Sequence, residues 1–196
     1  MAYVVAQEYI RRQDSDGVTH YIDRQNEPES CALASIGMMW DQSRQQCSVN
    51  GEGGYKTISG NFPGSLLQSQ LNGDNYGLGN GTMDTNITPT LRASGIRVSV
   101  DTGDMDPTAA TYGFAWQKDR IRTRYPALIL VGWYRGSGAA MTGSGGHFIL
   151  AARTTSKGWV VVLGPWRGTL RELHGNRGRY INHGLRGWID HIWYTG

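Results

Sequence analysis

Residues 127–164 read ALILVGWYRGSGAAMTGSGGHFILAARTTSKGWVVVLG, and this stretch decides the fold class. Ala127 to Trp133, His147 to Ala152 and Trp159 to Leu163 are short runs rich in β-branched and aromatic residues, separated by glycine or polar turns, a pattern that predicts strands. Arg179 to Asn182 and Trp188 to Tyr194 continue it, so everything beyond Pro126 reads as sheet. Upstream the periodicity changes. Within Ser30 to Ser43, Leu33, Ile36 and Trp40 fall at i, i+3 and i+7 and set one apolar stripe on a helix. Pro89 to Ser94 reads as a short helix running into the alternating strand Ile96 to Val100. Asp106-Pro107 offers a further helix start, with Asp as N-cap and Pro in the first turn, and that helix ends before Pro126. The first 28 residues alternate weakly, as strand and turn. Helices followed by sheet is the order of an α+β domain: a helical lobe, about 25–125, packed against an antiparallel sheet lobe, about 126–196, with a cleft between them.

At 196 residues and 21.6 kDa the chain is expected to form a single domain, 1–196. Hydrophobic residues at 39%, charged residues at 18% and a mean hydropathy of −0.44 exclude a charge-rich disordered chain. The longest apolar run, Ala127 to Val131, is far short of the roughly 20 residues of a membrane-crossing helix, so no membrane span is expected. The N-terminal MAYVVAQEYIRRQ puts its apolar residues before its basic ones, the reverse of a secretory signal, so any export is expected to proceed without a classical signal peptide. Net charge is +3, from 19 basic and 16 acidic residues. Arg167, Arg171, Arg177, Arg179 and Arg186 face only Glu172 in their stretch, but no helix-turn-helix, zinc-finger or stacked-aromatic pattern accompanies them, so nucleic acid is not the expected partner. Glycine, 28 residues, clusters in Gly51 to Gly54, Gly73 to Gly81 and Gly136 to Gly146, which read as loops. Cys31 and Cys47 are too few for a disulfide framework, and with no CxxC, no HExxH and scattered histidines neither a metal nor another cofactor is expected.

Three side chains carry candidate chemistry. Cys31 lies in the opening turn of the first helix, where the positive end of the helix dipole favours thiolate over thiol. On a mostly apolar helix a cysteine also serves as a small core residue. His147 opens an apolar strand directly after the flexible run Gly143 to Gly146, where its ring can project from the sheet edge into a cleft and act as a general base; alone, it also fits a histidine ending a surface strand. Gln25, six residues before Cys31, can fold back to donate an N–H to an oxyanion, with the Cys31 backbone N–H as the second donor.

Gln25-Asn-Glu-Pro-Glu-Ser-Cys31-Ala-Leu-Ala-Ser resembles the Gln-to-Cys segment of papain-like cysteine peptidases. Gly132-Trp133, then Gly145-Gly146-His147-Phe148-Ile149-Leu150, then Trp159 through Gly168 resembles the compact bacterial branch of that superfamily, which includes bacteriocin leader peptidases and secreted or effector proteases of pathogens. The match is discontinuous over about two thirds of the chain. It implies a papain-like fold with Cys31 on the helical lobe and His147 on the sheet lobe, and a Trp166 that covers the imidazole from solvent; as an aromatic core residue Trp166 needs no such role. It also implies a protein or peptide substrate, a host or target-cell protein among the candidates, and secretion or delivery into a target cell.

One position departs from the family. An Asp or Asn usually stands 17 residues after the histidine, before the Pro-Trp, to hold the imidazole; here it is Gly164. Three readings follow: a Cys-His dyad, a substitute such as Asn176 or Asn182, or a domain that has lost catalysis. The expected function is thus a cysteine peptidase acting through Cys31, His147 and Gln25, with weak activity, in a bacterial effector or toxin. The alternatives are an inactive papain-like binding module and, ranked lower, a glutamine deamidase or a peptidoglycan amide hydrolase. The last usually carries Asp or Asn before its cysteine, where this chain has Ser30.

Overall fold

A computed structural model describes residues 9–25, 31–43, 84–93, 95–102, 125–135, 142–173, 180–182 and 185–195. It is a mixed structure of helix and antiparallel sheet. Strands β1 (Tyr9–Gln13) and β2 (Thr19–Asp23) form a hairpin of their own. Helix α1 (Cys31–Ser43) follows, then a 3-10 turn (Asp84–Asn86) running into α2 (Ile87–Ala93). The main sheet is built from β3 (Val98–Thr102), β4 (Ala127–Arg135), β5 (Thr142–Thr154), β6 (Val160–Gly164), β7 (Thr169–Leu173), β8 (Tyr180–Asn182) and β9 (Leu185–Thr195). Its order is β3-β9-β4-β5-β6-β7, with β8 paired to β9 and every pairing antiparallel.

The continuous apolar runs of β4 and β6 have a physical reason: the sheet is buried on both faces. Leu128, Phe148, Leu150, Val161, Leu163 and Trp193 share one face and one cluster with α1 and α2. Ala127, Ile129, Val131, Ile149, Ala151, Val160 and Val162 form a second cluster from the alternate positions. α1 is rich in strong helix formers, Ala32, Ala34, Met38 and Met39. Its buried Ala32, Ser35, Ile36 and Met39 follow the i, i+3, i+4, i+7 spacing of one face, which lies across β5. Ala34 and Met38 are buried too, so the helix is enclosed well beyond that stripe. Ser35, polar on the packed face, donates its hydroxyl to the Phe148 carbonyl at 3.1 Å, which removes the cost of burying it. Thr88 of α2 accepts the Trp193 indole N–H at 2.9 Å and ties that helix to β9.

Several expectations are revised. The glycine run Gly143 to Gly146, expected to be a flexible loop, belongs to β5: Thr142, Gly143 and Gly146 pair with Arg135, Tyr134 and Gly132 of β4, and pairing prevails over the loop preference of glycine. β3 lies two residues later than expected and pairs with β9, so the strand inside the supposed helical lobe is part of the sheet. β7 has no counterpart in the sequence reading, because TLREL is half-buried along its length and lacks an apolar signature. α2 begins before Pro89, which sits in its first turn where a missing N–H costs nothing. The helix expected from Asp106, together with Cys47, Asn176, Arg177 and Arg179, lies outside the described residues, as do the side chains of Asn182 and Arg186.

The β1–β2 hairpin is fastened to the sheet by charge. The side chain of Asp14 is wholly buried; its Oδ1 accepts the N–H groups of Asp16 and Val18, both at 3.0 Å, and its Oδ2 meets His20 Nε2 at 2.9 Å and the Arg153 guanidinium. Asp16 takes the other Arg153 nitrogen at 2.8 Å and the Ser156 N–H and hydroxyl at 2.7 and 2.6 Å. Ser15 donates its hydroxyl to Glu172 of β7 at 2.8 Å. Burial alone would raise the Asp14 carboxyl, but the hydrogen bonds from His20, Arg153 and Val18 outweigh it and hold it below its ordinary range. Hydrogen bonds from Ser156 and then Arg153 hold Asp16 at about 2. Ile10 of the hairpin fills the space over Gly168, where a Cβ would lie 2.3 Å from its Cδ1 and where φ is +60°.

Arg153→Met is expected to lower stability at pH 7 by about 2 kcal/mol, the low side for a broken buried pair because Arg153 is itself partly exposed. Both carboxyls are depressed in the folded protein, so their contribution is complete above about pH 4 and is lost as pH falls through the folded values, near 2 for Asp16. Urea melts of the two proteins should therefore differ at pH 7 and converge near pH 2.

Candidate active site

Cys31 is the first residue of α1, partly exposed and packed against the helix-side cluster. Ser35 lies one turn on, about 6 Å along the axis, and bonds to the carbonyl of Phe148, the residue after His147. Gln25 is buried, and its backbone N–H donates to the Pro165 carbonyl at 3.1 Å; the same carbonyl accepts from Gly168 at 3.2 Å. Pro165 leads into the 3-10 turn Trp166–Gly168, with Arg167 at φ 59°. Trp166 is half-buried, and among the described residues its Nε1 is buried with no hydrogen-bond partner. The hairpin thus delivers Gln25 to the end of β6, and the chain reaches Cys31 six residues later.

His147 stands inside β5, not at its start as expected, and is 7% exposed. Burial pushes its imidazole down from 6.5 to about 4, so the ring is neutral at pH 7 and able to accept a proton. The indole of Trp133 lies nearly parallel to it, with centroids 6.1 Å apart and planes 20° from coincidence. Strand alternation gives His147 to the face of Ile149 and Ala151, and Trp133 packs on that same cluster, whereas α1 covers the face of Phe148 and Leu150. Thiol and imidazole therefore approach the sheet from opposite faces. β6 pairs with β5 only from Leu150 onward, so beside His147 the β6 side of β5 has no strand partner among the described residues, and the Pro165–Trp166 turn follows the end of β6.

Position 164 follows the alternation of Val160 and Val162, which places it on the His147 face of the neighbouring strand. Gly164 presents no side chain on that face. Two neighbours of the site carry no functional signal in the sequence. The stack of Trp133 on His147 depends on the register Val131↔His147, which one sequence does not reveal. Asp190 occupies the bulge where β9 slips against β4, and its carboxylate covers Gly132, within 2.1 Å of where a Cβ would stand. Gly132 is the register partner of Gly146, the residue before His147, so an acidic group lies close to this end of β5. Among the described residues no group of histidine, cysteine or acidic side chains fits a metal, and no helix is long and apolar enough to cross a membrane. No protein-family profile matches the chain, and no curated protein does.

The His147 shift carries a stability consequence. As pH falls below 6.5 the unfolded chain takes up this proton first, and the folded protein follows only near 4. Stability is full above 6.5 and is expected to drop by on the order of 3 kcal/mol by pH 4. Thermal melts of His147→Gln should show a smaller fall across that window than wild type.

Proposed function

We propose that the chain is a papain-like thiol amide hydrolase, with peptide bonds as its first target class. One observation carries the reading: α1, which opens at Cys31, is bonded beside His147 through Ser35, while Gln25 is tied to the turn at the adjoining edge of the sheet. In the proposed cycle Cys31 Sγ attacks the amide carbonyl carbon as its proton passes to the neutral imidazole of His147, a transfer that requires the two side chains, set on opposite faces of β5, to meet at its open edge. The oxyanion is received by the Gln25 side-chain N–H and the Cys31 backbone N–H. The tetrahedral adduct collapses to a thioester, and the departing amine takes its proton from His147. Water, giving a proton to the same imidazole, attacks the thioester and releases the acid, and the sulfur recovers its proton. A glutamine side chain would enter the same cycle and release ammonia.

With glycine at position 164 the proposed site lacks the family's usual orienting group at that place, which is expected to lower the rate. In the serine triad, replacing the orienting Asp by Asn costs about four orders of magnitude while residual catalysis survives. The burial of His147 favours one rival, a papain-like binding module that holds a peptide without cleaving it.

Alkylation by iodoacetamide in a Cys47→Ser background, where Cys31 is the one thiol, tests the assignment. Cys31→Ala should abolish labelling, and His147→Ala should slow it about a hundredfold at neutral pH, the low end for loss of a general base. Equal rates in wild type and His147→Ala would refute the hydrolase. A folded wild type that neither labels nor cleaves, beside a Gly164→Asp variant that does both, would establish the binding module.

A further inference from the structure

We infer that Arg167 is a specificity-determining residue, a carboxylate-binding guanidinium that gives the chain a preference for peptides carrying an acidic side chain. The inference rests on the hydrolase reading and deepens it. Two successive residues of the turn after β6 have left-handed backbones, Arg167 at φ 59° and Gly168 at φ 60°. Glycine is required at 168 on two counts: it suits that backbone, and Ile10 of β1 fills the space where a Cβ would stand. Position 167 makes the same demand of the backbone and meets it with a long cationic side chain. Among the described residues it is the one non-glycine residue with positive φ. A Cβ is disfavoured in that conformation, and residues held in it against their preference cluster at ligand-binding points.

Nothing among the described residues employs that side chain. Arg167 is exposed and no described acidic group pairs with it: Asp14 and Asp16 hold Arg153, Glu172 takes Ser15, and Asp84 faces His191. Its presentation is nonetheless firm. The Pro165 carbonyl accepts the Gly168 N–H at 3.2 Å and the Gln25 N–H at 3.1 Å, and Ile10 clamps the turn from outside. The shared carbonyl also sets the location. By covalent geometry the Cα of Arg167 lies within about 6 Å of that oxygen, and so does the Cα of Arg24, the exposed residue before Gln25. Two cationic residues thus stand where the candidate oxyanion donor is anchored. A peptide whose carbonyl oxygen is received by Gln25 passes this turn, and a glutamate or aspartate on it meets the planar fork of Arg167, which matches a carboxylate with two parallel hydrogen bonds. The sequence has no helix-turn-helix or stacked-aromatic pattern to make the anion a nucleic-acid phosphate.

The test uses the full chain as Cys31→Ala, which holds a peptide without turning it over, and two probes: acetylated, amidated alanine pentapeptides with glutamate or glutamine at the centre. Binding is followed through the Trp166 indole N–H resonance, assigned by its loss in Trp166→Phe; that group is buried in the same turn with no hydrogen-bond partner among the described residues. The glutamate peptide should bind about threefold to fivefold tighter than the glutamine peptide at low salt, the upper range for an exposed ion pair, and the preference should shrink in high salt. Arg167→Gln should erase it. Arg167→Gly should erase it too, with a melting temperature level with or above that of the parent, because glycine suits the left-handed backbone. Equal affinity for the two peptides, or no response to either, overturns the inference. So does an unchanged preference in Arg167→Gly with a lowered melting temperature, which would make the residue structural. A stronger response to oligothymidylate than to the glutamate peptide overturns it in favour of a phosphate ligand. The hydrolase is decided separately by alkylation of Cys31: if that rate ignores His147 while the glutamate preference holds, the hydrolase falls and Arg167 stands as the recognition point of a peptide-binding module.

Discussion

The seating of α1 on β5 is the constraint from which the described structure follows. A sheet whose strands are apolar on both faces cannot leave either face in water, and α1 covers one of them along β5. That contact leaves little freedom. Ala32, Ser35, Ile36 and Met39 set the rotation of the helix, and the Ser35–Phe148 hydrogen bond sets its height, because sliding by a turn would strand a buried hydroxyl. Cys31 at one end of the helix and His147 beside the bonded carbonyl are then held on the two faces of β5 by packing that serves stability.

Much of this was legible in the chain and some was not, for reasons that differ by element. α1 announced itself through its helix formers and its spaced apolar residues, and β4, β6 and β9 through runs of Ile, Val, Leu and Trp. β7 stayed hidden because a half-buried edge strand such as TLREL needs no apolar code. The first half of β5 was hidden by its glycines, which have no preference for strands and are held in one by Arg135, Tyr134 and Gly132 opposite. The pairing of β3 with β9 joins residues about a hundred positions apart, beyond any local signal. At the candidate site, Cys31, His147, Gln25 and Trp166 could be selected from residue type and spacing. The disposition of Cys31 and His147 on two faces of the sheet depends on the strand register and on which face α1 covers.

Burial and orientation work together at His147. Removing the ring from water keeps it neutral while making it a weaker base than a free imidazole, and it also takes away the solvent that would otherwise hydrogen-bond the ring in many orientations. Trp133 of the neighbouring strand stacks near it, with centroids 6.1 Å apart and planes 20° from parallel.

The fastening of Asp14 and Asp16 to Arg153 and Ser156 joins segments separated by about 140 residues. On a ribosome the hairpin emerges ahead of the sheet, and the groups that neutralise it are made only about 140 residues later. Until then its carboxylates remain hydrated, and the entropy of closing so long a loop must be met before any of these bonds can form. The two strands are thus made before the sheet they dock on, and Gln25, carried at their end, reaches Pro165 only once β6 and the turn after it exist.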